Sequence, residues 1–364
     1  MRKEIITQKQ GIVIMIGFIL GSSLVFGGSS EAKQDVWISI LVAMLMAVPT
    51  FFIYARLLSI FPGKSLFEIL DAVFGKVVGK ILALPFIWFA LYLGSLVIRD
   101  FSEFIHHVSP PGTPQFSIGI PIIFLCIWAA RAGIEVIGRW TSITFPVAVI
   151  FLLIIILLLS PLFEFKNMKP VLYNGFSPVL DAGYLIFTFP FAETVIFMAV
   201  LNCLQSKGSV YKVYYWSLLI SGTLILIVAV SNVLALGVAN TSIMLFTTFH
   251  SVRLISIGFV ERIEAIVSAL IIFSGFVKIS ICLYAASKGI AKVLNINNYK
   301  QTVVPVGILM MILSVIIFRN TMEWYEFTTK TYKIYAIPFE IILPLVILIV
   351  AEIKILLKKK GAIR

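Results

Sequence analysis

Ten stretches of this chain are apolar over roughly the length needed to cross a bilayer, and that pattern constrains the fold more than any motif. They lie at about 11–28, 36–60, 81–105, 117–130, 141–161, 182–204, 213–238, 262–285, 303–318 and 335–357. A hydrocarbon core ~30 Å thick takes about 20 residues of α-helix at ~1.5 Å each. Ten spans and their loops therefore use up the 364 residues and leave no room for a sizeable soluble catalytic domain. Hydrophobic residues make up 60% and charged residues 13%, a balance that a water-soluble domain cannot bury. The expected fold class is all-α integral membrane, with about ten transmembrane helices in a single polytopic domain over 1–364. The fourth run is short and has Pro121 near its start, so nine spans with one re-entrant segment is the alternative count.

The formal charge of +12, from 29 Lys and Arg against 17 Asp and Glu, reads as membrane topology rather than as nucleic-acid binding. With the N-terminus inside, the inner loops and ends hold 19 of the 29 bases, finishing in a basic tail at 358–364. Both termini are therefore expected in the cytoplasm. The first run has a basic start and small residues at Gly27, Gly28, Ser29 and Ser30, as a signal peptide would. Its apolar core is interrupted by Gly17, Gly21, Ser22 and Ser23, so it is read as a retained helix. Cys126, Cys203 and Cys282 each fall inside an apolar run with no metal-ligand spacing, and nothing in the chain requires a cofactor or a disulfide framework.

Two clusters interrupt helices in corresponding places. Gly17-Phe18-Ile19-Leu20-Gly21-Ser22-Ser23 sits in the first run, and Thr188-Phe189-Pro190-Phe191-Ala192-Glu193 in the middle of the sixth. A broken helix frees amide and carbonyl groups that suit a carboxylate or an ammonium. Gly17 and Gly21 also form a G-x-x-x-G contact motif, and the two readings are compatible. Pro190 removes an N–H, and Glu193 places a carboxylate at bilayer depth. Interrupted first spans in both halves suggest two five-helix repeats, about 8–161 and 180–357. Lys278, inside the eighth run, either snorkels to the interface, faces the core in the place a sodium ion takes in some transporters, or pairs with Glu193.

Towards the outer side, Glu261-Arg262-Ile263-Glu264 opens the eighth run, with Arg253 as a possible gate partner, though a simple helix cap explains the carboxylates as well. Asp100, Glu103, His106 and His107 end the third run, where neighbouring histidines point apart and do not suit a metal, and His250 stands alone in a loop. Enzyme signatures fail. Gly63-Lys64-Ser65 has Leu58 where a phosphate-binding loop needs glycine, and there is no G-x-S-x-G or H-E-x-x-H.

Phe18-Ile19-Leu20-Gly21-Ser22-Ser23 with Gln34-Asp35-Val36-Trp37, the Phe189-Pro190-Phe191-Ala192-Glu193 break, and Ile257-Gly258-Phe259-Val260-Glu261-Arg262-Ile263-Glu264 together resemble the B subunit of spore germinant receptors. That family is a branch of the amino acid/polyamine/organocation transporter superfamily. The resemblance covers essentially the whole chain and implies a LeuT-like core of two inverted five-helix repeats with helices one and six broken. It implies residence in the inner membrane of a spore, partnership with an A subunit and a lipoprotein C subunit, and sensing of a small nutrient germinant such as an amino acid. Carried over by position, the ligand contacts are Gly17, Gly21, Ser22, Ser23, Thr188, Phe189, Phe191 and Glu193, completed by Tyr92, Lys278 and Cys282. Pro190, Arg253, Glu261, Arg262 and Glu264 fall in structural or gating roles. Some relatives have Gly-x-Gly in the first break and no charge at the position of Lys278. An ammonium there disfavours a cationic ligand and leaves a zwitterion or a neutral sugar. The alternatives are an amino acid permease, proton-coupled or not, and a germinant-gated ion channel.

Overall fold

Thr7 begins the first helix by a reciprocal capping box: its hydroxyl accepts from the Gln10 amide at 3.2 Å, and the Gln10 side chain accepts from the Thr7 amide at 2.9 Å. The computed structural model describes residues 4–26, 31–108, 114–255 and 263–359, with the side chains of Ser22, Leu24, Val25, Phe26, Lys207, Lys358 and Lys359 left aside. Glu261 and Arg262 therefore lie outside the described residues.

From that cap α1 runs over Gln8–Phe26 and α2 over Val36–Ile60. The short amphipathic α3, Leu66–Phe74, is capped by Ser65 and Glu68 and folds back on α4, Lys76–Val108. Next come α5, Gln115–Ala132, and α6, Ile134–Leu159, joined through Gly133 alone. Its φ of 107° is one that a side chain rarely adopts, which is why so abrupt a reversal needs glycine. The sixth apolar run begins as α7, Ser177–Ile186, and then loses regular α geometry through residues 187–203. The remaining helices are α8, Val210–Ile243, kinked at Gly237; α9, Thr247–Arg253; α10, Glu264–Val293; and α11, Val303–Ile316. The last run is one interrupted rod of α12, Thr321–Glu326, α13, Tyr332–Tyr335, and α14, Leu343–Lys359, separated by wider turns at Phe327–Thr331 and Pro338–Ile342.

Over their described residues, all ten apolar runs are thus mainly helical. Eight stretches among the described residues are long and apolar enough to cross a membrane, and the first and ninth runs form shorter apolar helices. The fourth run is one of the eight, with Pro121 inside the helix, so the re-entrant alternative falls away. At the centre, α1 packs against α10, α8 and α6, while α10 also packs on α4 and α2 on α7 and α8. The outer faces stay apolar, as Leu45, Phe124, Trp128, Ile143 and Leu157 show. Lipid takes the place of water around them.

One expectation fails. The first helix is not broken at Gly17–Ser23 but continues as α-helix to Phe26. The reason lies in packing. A Cβ on Gly21 would stand 2.9 Å from the Ser274 carbonyl and 3.0 Å from the Lys278 Cβ, and one on Gly17 would touch Val277 at 3.4 Å. The glycines let α10 approach, and the Ser23 hydroxyl returns its proton to the Ile19 carbonyl at 2.8 Å.

Candidate ligand site

The break in the sixth run organises the interior. Phe189 has φ −129° and ψ 102°, outside the helical region, and the peptide to Pro190 is cis. Backbone groups released here must find partners, because no water is available at this depth. Tyr54 of α2 shares its one hydroxyl proton between the Ala192 carbonyl at 3.1 Å and the Glu340 carbonyl at 2.6 Å, while Tyr214 of α8 donates to Thr194 at 3.4 Å, the Thr194 hydroxyl to Phe191 at 2.7 Å, and the Lys288 ammonium to Ala199 at 2.9 Å. The Thr188 hydroxyl turns back to the Leu185 carbonyl at 3.0 Å. Side chains from three helices thus hold open a segment that proline has already weakened.

Within this segment Glu193 is fully buried and faces Lys278 from α10. The ammonium donates to Oε2 at 2.5 Å, and the Tyr332 hydroxyl of α13 donates to Oε1 at 2.7 Å. Neither side chain of the pair has any exposure. The ammonium also lies 4.7 Å from the Phe189 ring centre and 5.2 Å from that of Phe18 on α1, a cation–π cradle that suits a desolvated cation. Lys278 therefore does not snorkel. Its charge is answered in place by Glu193.

A cavity of about 190 Å³ adjoins the break, lined among others by Ser23, Phe189, Pro190, Tyr325, Thr328 and Lys330. Phe189 both lines it and carries the Lys278 ammonium, whereas Glu193 and Lys278 are not among its walls. At the opposite end of the bundle a second cavity of about 410 Å³ meets Glu4, Glu135, Asn202, Tyr284, Lys288 and Lys300. It is latched by the chain's own beginning. Glu4 accepts from the Tyr284 and Tyr299 hydroxyls at 2.7 and 2.6 Å, the Ile6 amide donates to Cys203, and the Gln205 amide donates to Ile6. Burial pushes the Cys203 thiol up to about 12.

The other sequence candidates distribute as follows. Gly17 and Gly21 face α10, and Gly21 touches the Lys278 stem. Thr188, Phe191 and Glu193 are buried in the break, while Ser23 borders the first cavity. The helix carries Ser22 with its side chain outside the description. Tyr92 joins an aromatic cluster with Trp88, Phe327 and Tyr335, and Cys282 is buried one turn beyond Lys278 against Gly94 of α4. Glu264 stands in the first turn of α10, but the Arg253 guanidinium lies over the Phe249 ring, 5.9 Å from its centre, and no ion pair between the two occurs among the described residues. Glu103 is held by Arg99, Gln115 and Thr321 at 2.7–2.8 Å, and Asp100 accepts from the Trp324 indole at 2.8 Å. His250 is not alone, since its Nε2 lies 3.2 Å from the His107 Nε2. Burial, then His107 and Arg253, hold His250 below the ordinary histidine value.

Sequence reasoning missed Tyr54, Tyr332, Glu4 and Glu340. For Glu340 a signal existed, since a carboxylate inside the tenth apolar run meets the same criterion that singled out Glu193. The tyrosines carry no comparable signal.

The spore permease family model, described as spore germination protein, matches residues 5–322. The chain belongs to this spore germination protein family. Family and fold are those of permeases, and the chain is an integral membrane protein. Spore germination protein KB of Bacillus subtilis (strain 168) is 29% identical, with 96% of this chain and 95% of that protein covered. Spore germination protein GerQB of Bacillus cereus is 24% identical over 96% of this chain and 94% of its own length. Among solved structures, MhsT in complex with L-phenylalanine superposes with a TM-score of 0.69 over 96% of this chain and 99% of that one, at 12% identity. Mhp1, a nucleobase-cation-symport-1 family transporter closed on bromovinylhydantoin, gives 0.69 over 94% and 78%, also at 12% identity. At that identity the likeness establishes the fold, and the fold of the family member described here is LeuT-like.

Proposed function

We propose that this family member is the membrane subunit of a spore germinant receptor and binds a small zwitterionic nutrient, an amino acid, beside the break at Thr188–Glu193. The observation that carries the reading is the Lys278–Glu193 pair, buried behind Phe189 at the wall of a cavity. Opening the pair offers an ammonium for an α-carboxylate and a carboxylate for an α-ammonium, without adding net charge to the interior. A cationic ligand gains nothing from so balanced a site. The complex of MhsT with L-phenylalanine, in the same fold, supports the ligand class.

On this reading the protein resides in the spore inner membrane with both termini in the cytoplasm. The Glu4 end then faces inward and the Phe189 cavity outward. Binding shifts an equilibrium between conformations, which an A subunit and a lipoprotein C subunit relay. Spores carrying Phe189→Ala or Lys278→Ala, at normal protein levels, should change their germination response across a panel of amino acids. An unchanged profile in both variants refutes the site.

The two cavities at opposite ends, separated by the buried pair, favour a second reading in which the same core alternates access and moves the amino acid. Net uptake into liposomes by the purified chain, abolished by Glu193→Gln, would establish it. Ion conductance through the reconstituted protein would point instead to a germinant-gated channel.

A further inference from the structure

Besides Glu193 and Asp100, whose carboxyl group accepts from the Trp324 indole, the core holds a further buried carboxyl group, Glu340. It occupies the wider turn Pro338–Ile342, has no exposure, and among the described residues neither of its side-chain oxygens has a hydrogen-bond partner. Its backbone carbonyl is held by the Tyr54 hydroxyl at 2.6 Å, which fixes the residue in place without serving the carboxyl group. Glu193 of the break and Lys278 of α10 lie within electrostatic reach of it. So do Tyr54 of α2, Tyr184 of α7 and Tyr332 of α13. Lys278 is the ammonium in this group, and it already donates to Glu193.

If Glu340 were ionised, two carboxylates would share one ammonium, and one of them would have no donor at all. A buried charge of that kind is costly, whereas the neutral acid carries no charge and brings its own O–H donor. We propose that Glu340 is a proton-binding site, occupied at neutral pH while Lys278 is engaged with Glu193. When Lys278 leaves Glu193 and turns its charge towards Glu340, the O–H bond of Glu340 breaks. The proton passes to the Glu193 carboxylate that the ammonium has just left, and the ammonium becomes the counter-ion of Glu340. The two carboxyl groups thus keep one proton between them, and it sits on whichever of them Lys278 does not engage.

The bound proton does not depend on the germinant reading and is tested without a ligand. Infrared spectra of the purified full-length chain in lipid nanodiscs at neutral pH should contain the carbonyl stretch of a neutral carboxylic acid, shifted on exchange into D₂O. The wild-type minus E340Q difference isolates Glu340, because other buried acids cancel. The band should appear in that difference and be absent from wild type minus E352Q, whose glutamate pairs with Arg56. E340D should move the band rather than abolish it, and it stands in if E340Q does not fold. Raising sodium chloride at fixed pH should leave the band in place. Its absence from the E340Q difference, or its disappearance with sodium, overturns the proposal, the latter in favour of a metal-cation site.

Discussion

Lys278 and Glu193 meet at 2.5 Å with no solvent exposure on either side chain, and 85 residues of chain separate them. Their union joins α10 to the broken sixth helix. Removing one partner strands the other as an uncompensated charge, which typically costs about 3–5 kcal/mol. Lys278→Met should therefore lower thermal stability in detergent sharply, and the double variant Lys278→Met/Glu193→Gln should recover part of the loss. A double variant as unstable as the single one would show that the pair is not the source.

Gly21 tests the reason α1 stays helical. A methyl group there meets the Ser274 carbonyl at 2.9 Å, an atom that cannot step aside cheaply. Overpacking of this kind costs about 1–3 kcal/mol. Gly21→Ala should lower the unfolding temperature, whereas Gly208→Ala, with nothing within 4 Å, should not. Equal effects would remove the packing explanation.

Accessibility tests the role of Phe189 as a partition. Thr328 borders the first cavity and Glu193 does not. In a chain whose native cysteines are replaced, Thr328→Cys should react with a membrane-impermeant maleimide and Glu193→Cys should not. Adding Phe189→Ala should expose the second position by about tenfold in rate, equivalent to ~1.4 kcal/mol. Labelling of Glu193→Cys behind an intact Phe189 would refute the partition.

The latch at the other end depends on Glu4. Hydrogen bonds to a charged group are worth about 1.5–3 kcal/mol, so Glu4→Ala should release Tyr284 and Tyr299 and open the cavity that Cys203 borders. With Cys126 and Cys282 replaced, Cys203 labelling should rise in Glu4→Ala. In the parent it should stay slow until strongly alkaline pH, because burial raises that thiol to about 12. Equal rates in the two proteins would show that Glu4 closes nothing.

His250 gives a pH dependence whose sign follows from its depressed folded value. Such a group favours the neutral folded form, so its contribution is present above the ordinary histidine value of about 6.5 and is lost as pH falls below it towards the folded value. Protonation of both rings would also end the hydrogen bond between His107 and His250. Thermal stability should decline on acidification from about pH 7, and His250→Gln should flatten that decline. An identical slope in the variant would remove the pair from consideration.

The legible parts of the molecule were those that depend on neighbouring residues along the chain. The span lengths, the proline at 190 and the carboxylate three residues beyond it can all be read in order. Gly17 and Gly21 show where this stops, because a helix-breaking cluster and a close-packing cluster have the same composition. Only the approach of Ser274 and Lys278 decides between them. The aromatic cluster around Tyr92 was hidden for the same reason, since its partners Phe327 and Tyr335 lie more than two hundred residues away in sequence.

Although it also suggested an interruption in the first run that the fold does not have, by itself the sequence determined a membrane-embedded helical bundle, the interruption at Pro190, and charged side chains at Glu193 and Lys278 inside apolar runs. Those are consequences of hydration, which acts on each residue where it stands. The tertiary structure decided that Lys278 answers Glu193, that Tyr332 completes the pair, and that Glu340 has no hydrogen-bond partner for its carboxyl group among the described residues. Pairing is a property of distance between helices, and along the chain that distance is not written.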